Sequence, residues 1–134
     1  MTFASTVARR FLLLGAVSGF LAVALGAFGA HGLKRILDTD LLVIFETGVR
    51  YHFHHTLALL AVGLLAREGA GRALCASGWA FVAGIVVFSG SLYALALTGE
   101  RWLGAITPIG GVSFLVGWGA LGVAAWQRTR VVKA

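Results

Sequence analysis

Four long runs almost free of charge divide this sequence, and a soluble fold has no place to hide them. The first, Phe11 to Ala30, is uncharged throughout and follows Arg9 and Arg10. Its length suffices to cross a hydrocarbon core of about 30 Å. Ala27 and Gly29 resemble a signal-peptide cleavage site, but the run exceeds the usual apolar region of about 7–15 residues, so it reads as a retained helix. The other spans are 43–66, 73–97 and 103–126, giving one integral membrane domain over residues 1–134. The sequence thus predicts an all-α, four-helix transmembrane bundle. The apolar fraction of 59% agrees, being well above the roughly 45–50% of a soluble domain.

The 16 charged residues fall in short clusters between the runs, as expected of membrane edges. A net charge of +6 raises the question of nucleic acid. The basic residues flank apolar segments instead of forming one stripe, so nucleic acid is excluded as a partner. Seven of them (Arg9, Arg10, Arg67, Arg72, Arg128, Arg130 and Lys133) lie on one side of the predicted topology and four (Lys34, Arg35, Arg50 and Arg101) on the other. The excess predicts both termini in the cytoplasm. Trp79, Trp102 and Trp126 lie near predicted span ends, where amphipathic rings favour headgroups. Between the first two spans, Gly32 to Asp40 spaces Leu33, Ile36 and Leu37 among charges, the pattern of a short interfacial amphipathic segment.

Helices gain little hydrophobic energy by meeting in lipid, so small residues that allow close approach mark packing faces. The first span carries Gly15, Gly19, Ala22, Gly26 and Ala30. The third has Ala73, Ala76, Ala80, Ala83, Gly90 and Ala94, and the fourth Gly110, Ser113, Gly117, Ala120 and Ala124. These seams predict a tight bundle within the chain, with one seam available to a second copy or a membrane protein partner. Pro108 reads as a helix start, since its missing donor is unpaired in a first turn anyway. Cys75 is the sole cysteine, which excludes an internal disulfide.

The predicted topology gathers the polar residues at the outer end. His31 closes the first span, and His52, His54 and His55 begin the second. Glu46, Arg50, Tyr51, Ser89, Ser91, Tyr93 and Thr107 join them. His52 and His55 are three apart and share a helix face, so with His31 they form a candidate metal site. His31 and His55 alone form a candidate haem pair. The competing structural reading has the histidines hydrogen-bonding to neighbouring helices or lipid headgroups. Glu46 and Arg50, four apart, suit a helical ion pair. Phe88-Ser89-Gly90-Ser91 lacks the Gly-x-Ser-x-Gly pattern of a nucleophile elbow, and no catalytic residue is assigned.

Leu25-Gly26-Ala27-Phe28-Gly29-Ala30-His31, Thr47-Gly48 with Tyr51, His55-Thr56-Leu57-Ala58, Phe88-Ser89-Gly90-Ser91-Leu92-Tyr93, and Thr107-Pro108 with Gly110-Gly111, Phe114, Gly117 and Trp118 resemble a known family across nearly the whole chain. It is family 423 among domains of unknown function, which includes bacterial YgdD- and YwdK-type inner-membrane proteins and resembles eukaryotic transmembrane protein 256. The resemblance implies a four-helix protein of the bacterial cytoplasmic membrane, without established activity. It singles out His31, Tyr51, His55, Ser89, Ser91, Tyr93, Thr107 and Pro108. His52 departs from the pattern, in which glutamine usually follows the tyrosine. The leading expectation is a non-enzymatic component that binds lipids, a partner or itself, without a cofactor. Metal or haem binding is the alternative, and an interfacial lipid-modifying enzyme the third reading.

Overall fold

The computed structural model describes residues 2–131, and the side chains of residues 2–128. Lys133 and the Arg130 side chain, both used in the charge count, lie outside what is described. Among the described residues the secondary structure is helical, without strands. Helix α1 spans Phe3–His31 and α2 spans Thr39–Ala66. The third rod consists of α3 (Arg72–Gly84), a π-helical turn over Ile85–Ser89, and α4 (Gly90–Thr98). Helix α5 covers Thr107–Val131, with Pro108 in its first turn, and a 3-10 turn over Arg101–Ala105 precedes it.

Each boundary has a local cause. The Thr2 hydroxyl accepts from the Ser5 amide and caps α1. Gly99 ends the third rod at φ 76°, a left-handed conformation that costs a glycine little. At the other end of the bundle, Arg128 of α5 donates to the carbonyls of Leu65, in the last turn of α2, and of Gly69, just past it. It thus ties the carboxyl-terminal end of α5 to the last turn of α2 and the loop that follows. Between α1 and α2 the interfacial segment is a single 3-10 turn, Leu33–Arg35. Leu33 is buried there, while Lys34 and Arg35 are exposed.

Three helical stretches, Phe3–Arg35, Arg72–Thr98 and Arg101–Arg128, are long and apolar enough to cross a membrane. Their large exposed side chains, among them Phe20 at 74% and Leu115 at 73%, form a surface suited to lipid. Helix α2 is the exception, because Asp40, Glu46, Arg50 and three histidines interrupt it. It nonetheless buries much of its length. Phe45, His52, His55, Thr56, Leu59 and Val62 are among its buried residues, and it packs against α1, α3 and α4.

Close packing follows the glycines only in part. A Cβ on Gly15 would stand 2.6 Å from the Leu60 side chain, one on Gly63 2.9 Å from the Leu12 backbone, and one on Gly117 2.6 Å from the Phe81 ring. At Gly110 it would strike the backbone of Phe88, and at Gly84 the Phe114 ring. Gly19 faces Thr56 and Gly26 faces Val49, both at 3.3 Å. The third rod departs from the alanine seam: Ala76 and Ala83 are exposed, and Leu74, Ser77, Gly78, Phe81 and Gly84 are the buried face. Spacing alone names several faces of a helix, and here the bulky Phe81, not the small alanines, turns inward.

Candidate functional site: a polar line beside a lipid-facing groove

The close approaches between α1 and α2 set their register. Gly15 meets Leu60, Gly19 meets Thr56, Gly26 meets Val49 and Gly29 meets Phe45, so the two helices run antiparallel. His52 then lies midway along α2 and Ser18 midway along α1. The sequence expectation puts these histidines at the outer end, near the start of a span running from 43 to 66. Helix α2 starts at Thr39, however, which carries His52 and His55 to its centre.

These central residues form a continuous line. The Tyr93 hydroxyl lies 3.0 Å from His52 Nδ1, and Ser18 Oγ lies 3.0 Å from Nε2. Ser18 continues to the Thr56 hydroxyl at 2.6 Å. His52 and Thr56, four apart on α2, share the face turned to Ser18. His52 is 5% exposed and Thr56 1%. Desolvation of such groups is offset only when they pair, and here both imidazole nitrogens do.

His55 is occupied differently. A carbonyl can only accept, so the 2.7 Å contact between His55 Nδ1 and the Tyr51 carbonyl puts the proton on Nδ1. Its Nε2 then accepts from the Trp118 indole N–H at 3.2 Å. The ring stacks on Phe114 at a centroid distance of 3.4 Å and 7°. Tyr51 extends the aromatic group, its ring tilted against Phe88 at a centroid distance of 4.5 Å. His55 therefore joins α2 to α5 and keeps no nitrogen free.

The proposed metal set is not brought together. His31 is exposed, with Nδ1 on the Ala27 carbonyl at 3.0 Å. It stands two residues past Gly29, while His55 stands ten past Phe45 on the opposing helix. At ~1.5 Å per residue the two histidines are roughly 18 Å apart along the bundle. That is too far for one metal ion, and an axial haem pair would also need a free nitrogen on His55. Among the described residues no three His, Cys, Asp or Glu side chains are placed to hold a metal ion.

The rest of the expected cluster divides into separate contacts. Ser91 bonds to Thr107 at 2.8 Å and to the Phe88 carbonyl. Ser89, fully buried in the π turn, has no hydrogen-bond partner for its hydroxyl among the described residues. Glu46 and Arg50 are exposed and not within ion-pair distance. The ion pair that the described residues do form is Arg128 with Glu68 at 3.5 Å. Ser18 was not singled out, and Thr56 and Trp118 entered only as members of the motifs that carry the family resemblance. Ser18 is a lone hydroxyl in an apolar span, and the available signal was the four-residue spacing of His52 and Thr56.

Beside the polar line runs a groove of about 420 Å³ between α1, α2 and the third rod. Leu14, Leu21, Leu25 and Ile85 line it, with Ser18, His52 and Tyr93 as its polar groups and no charged side chain. The π turn and Gly90 form its far wall, and a Cβ on Gly90 would meet nothing within 4 Å. Turns of this kind are rare and frequent at functional sites. The volume falls within the roughly 300–1,000 Å³ of ligand pockets.

Residues 25–111 match the family model for a protein of unknown function, DUF423. Membrane protein YwdK of Bacillus subtilis is 49% identical over 118 residues, covering 87% of this chain and 96% of the relative. A membrane protein of Haemophilus influenzae is 50% identical over 111 residues, covering 82% and 88%. Inner membrane protein YgdD of Escherichia coli is 42% identical over 122 residues, covering 91% and 93%. No solved structure matches the chain.

Proposed function

The chain belongs to the DUF423 family of membrane proteins, and within that family we propose that it is a non-enzymatic membrane component which holds a neutral long-chain lipid. The observation that carries this reading is the groove, which is open, apolar along its length and polar at the Ser18–His52–Tyr93 line. An alkyl or isoprenoid chain fits the Leu14, Leu21 and Leu25 wall. A hydroxyl or carbonyl on that lipid would exchange hydrogen bonds with Ser18 or Tyr93. A carboxylate or phosphate would be desolvated beside no cation, at a cost of several kcal/mol. The ligand is therefore neutral.

The test is photolabelling in liposomes with a diazirine-bearing long-chain alcohol, using the fatty acid of equal length as control. The alcohol should label peptides of α1 and α4 and be displaced by unlabelled alcohol. Gly90→Leu should reduce the labelling at least tenfold, since it fills the groove from a position where a Cβ clashes with nothing. Equal labelling by the fatty acid, or labelling indifferent to Gly90→Leu, would sink the reading.

The protein resides in the cytoplasmic membrane with both termini inside, a placement supported by the seven-to-four excess of Lys and Arg. Reporter fusions at each end should both report cytoplasm, and a periplasmic signal at either end would reverse it.

A further inference from the structure

The lipid-facing side of α2 is the chemically odd surface of the molecule. Val43, Glu46, Arg50, Phe53, His54 and Leu57 recur at helical spacing, and all are exposed. Arg50 stands only two residues before His52, the buried centre of the polar line, so its charge enters the helix well inside the bundle's length. Neither Glu46 nor Arg50 is within ion-pair distance of an opposite charge among the described residues. Ionisable groups at such depth are ordinarily turned inward or paired.

The seams of small residues leave little for a partner. Gly15, Gly19 and Gly26 face α2, and Gly110 and Gly117 face the third rod. The α2 face is unpartnered, and it carries one acid and one base separated by a single helical turn. We propose that this face is the contact between two copies of the chain, related by a two-fold axis along the membrane normal. Both copies keep the same orientation in the bilayer, so the two α2 helices lie side by side and parallel. Arg50 of one copy stands about 6 Å, one turn, above Glu46 of the other, an offset that the long arginine side chain spans as it leans toward the amino terminus. The axis repeats the contact, making two reciprocal ion pairs, as an isologous interface requires. Phe53 and Leu57 supply the apolar continuation one to two turns farther along. Two charges otherwise exposed at hydrocarbon depth thereby neutralise each other.

The surface is separate from the groove, so its test does not depend on the lipid reading. Full-length copies with donor or acceptor fluorophores on carboxy-terminal tags are reconstituted in liposomes at high lipid-to-protein ratio, and energy transfer is compared with the random-proximity background. Wild-type protein should transfer well above background. Glu46→Arg alone and Arg50→Glu alone should each fall to background, since every copy then presents two like charges. Mixing donor-tagged Glu46→Arg with acceptor-tagged Arg50→Glu should recover at least half of the wild-type signal. Recovery on mixing separates pairing between copies from pairing within one helix, which mixing cannot restore. Arg50→Gln, the milder change, should lower transfer several-fold. Wild-type transfer at background, undiminished transfer in the single variants, or no recovery on mixing would each overturn the proposal. Contact with lipid headgroups or with another membrane protein would give one of those results.

Discussion

Glycines, serines and aromatic rings build both the seam between the third rod and α5 and the groove between α1 and that same rod, yet one is closed and the other open. In the seam each of these glycines lies against a phenylalanine: Gly117 under the Phe81 ring, Gly84 under the Phe114 ring, and Gly110 against the Phe88 backbone. Two of its hydroxyls are consumed by backbone, Ser77 on the Gly117 carbonyl and Ser113 on the Ala80 carbonyl, both at 2.8 Å. Along the groove Gly90 lies under nothing, and the hydroxyls of Ser18 and Tyr93 bond to an imidazole instead of to carbonyls. A glycine closes a membrane interface only when the opposite helix supplies the bulk to fill the notch. Where that bulk is withheld, the same residue leaves room for a ligand.

The largest expected effect lies in the seam. Gly110→Ala drives a methyl into the Phe88 backbone, which cannot swing aside as a side chain can, and should cost about 3 kcal/mol. Gly90→Ala should cost nothing and gain up to about 0.5–1 kcal/mol from helix propensity. Reversible unfolding in mixed micelles would measure both. Equal losses at the two glycines would erase the distinction between seam and groove.

Intermediate effects should fall on the polar line and on the bond from α2 to α5. Ser18→Ala strips His52 of one partner and Thr56 of another, for about 1–2 kcal/mol. Trp118→Phe removes the donor to His55 Nε2 and should cost about 1 kcal/mol. The double substitution should be additive within about 0.5 kcal/mol, because the two histidines serve different neighbours. A larger coupling would mean that the two polar groups act as one. His31→Ala, on an exposed ring that bonds only its own helix, should change stability by no more than about 0.5 kcal/mol.

The spans were legible because solvent chooses them. Uncharged runs such as Phe11 to Ala30 have no stable place but lipid, whatever they pack against. The seams of α1 and α5 were also legible, since Gly15, Gly19 and Gly117 permit approaches that a Cβ would block. The candidate site was legible only by residue type. His52, His55 and Tyr93 were picked out, but they were assigned to the outer end and to one cluster.

The sequence by itself determined a membrane-embedded, all-helical chain and which residues carry its scarce polarity, because both follow from local transfer energies and spacing. The tertiary structure alone decided where that polarity goes. The register between α1 and α2 sets Ser18 against His52 and Thr56 and parts His31 from His55. The π turn leaves Gly90 uncovered beside them. Register and turn geometry depend on how whole helix faces fit together, a property of pairs of helices that no single run of residues contains.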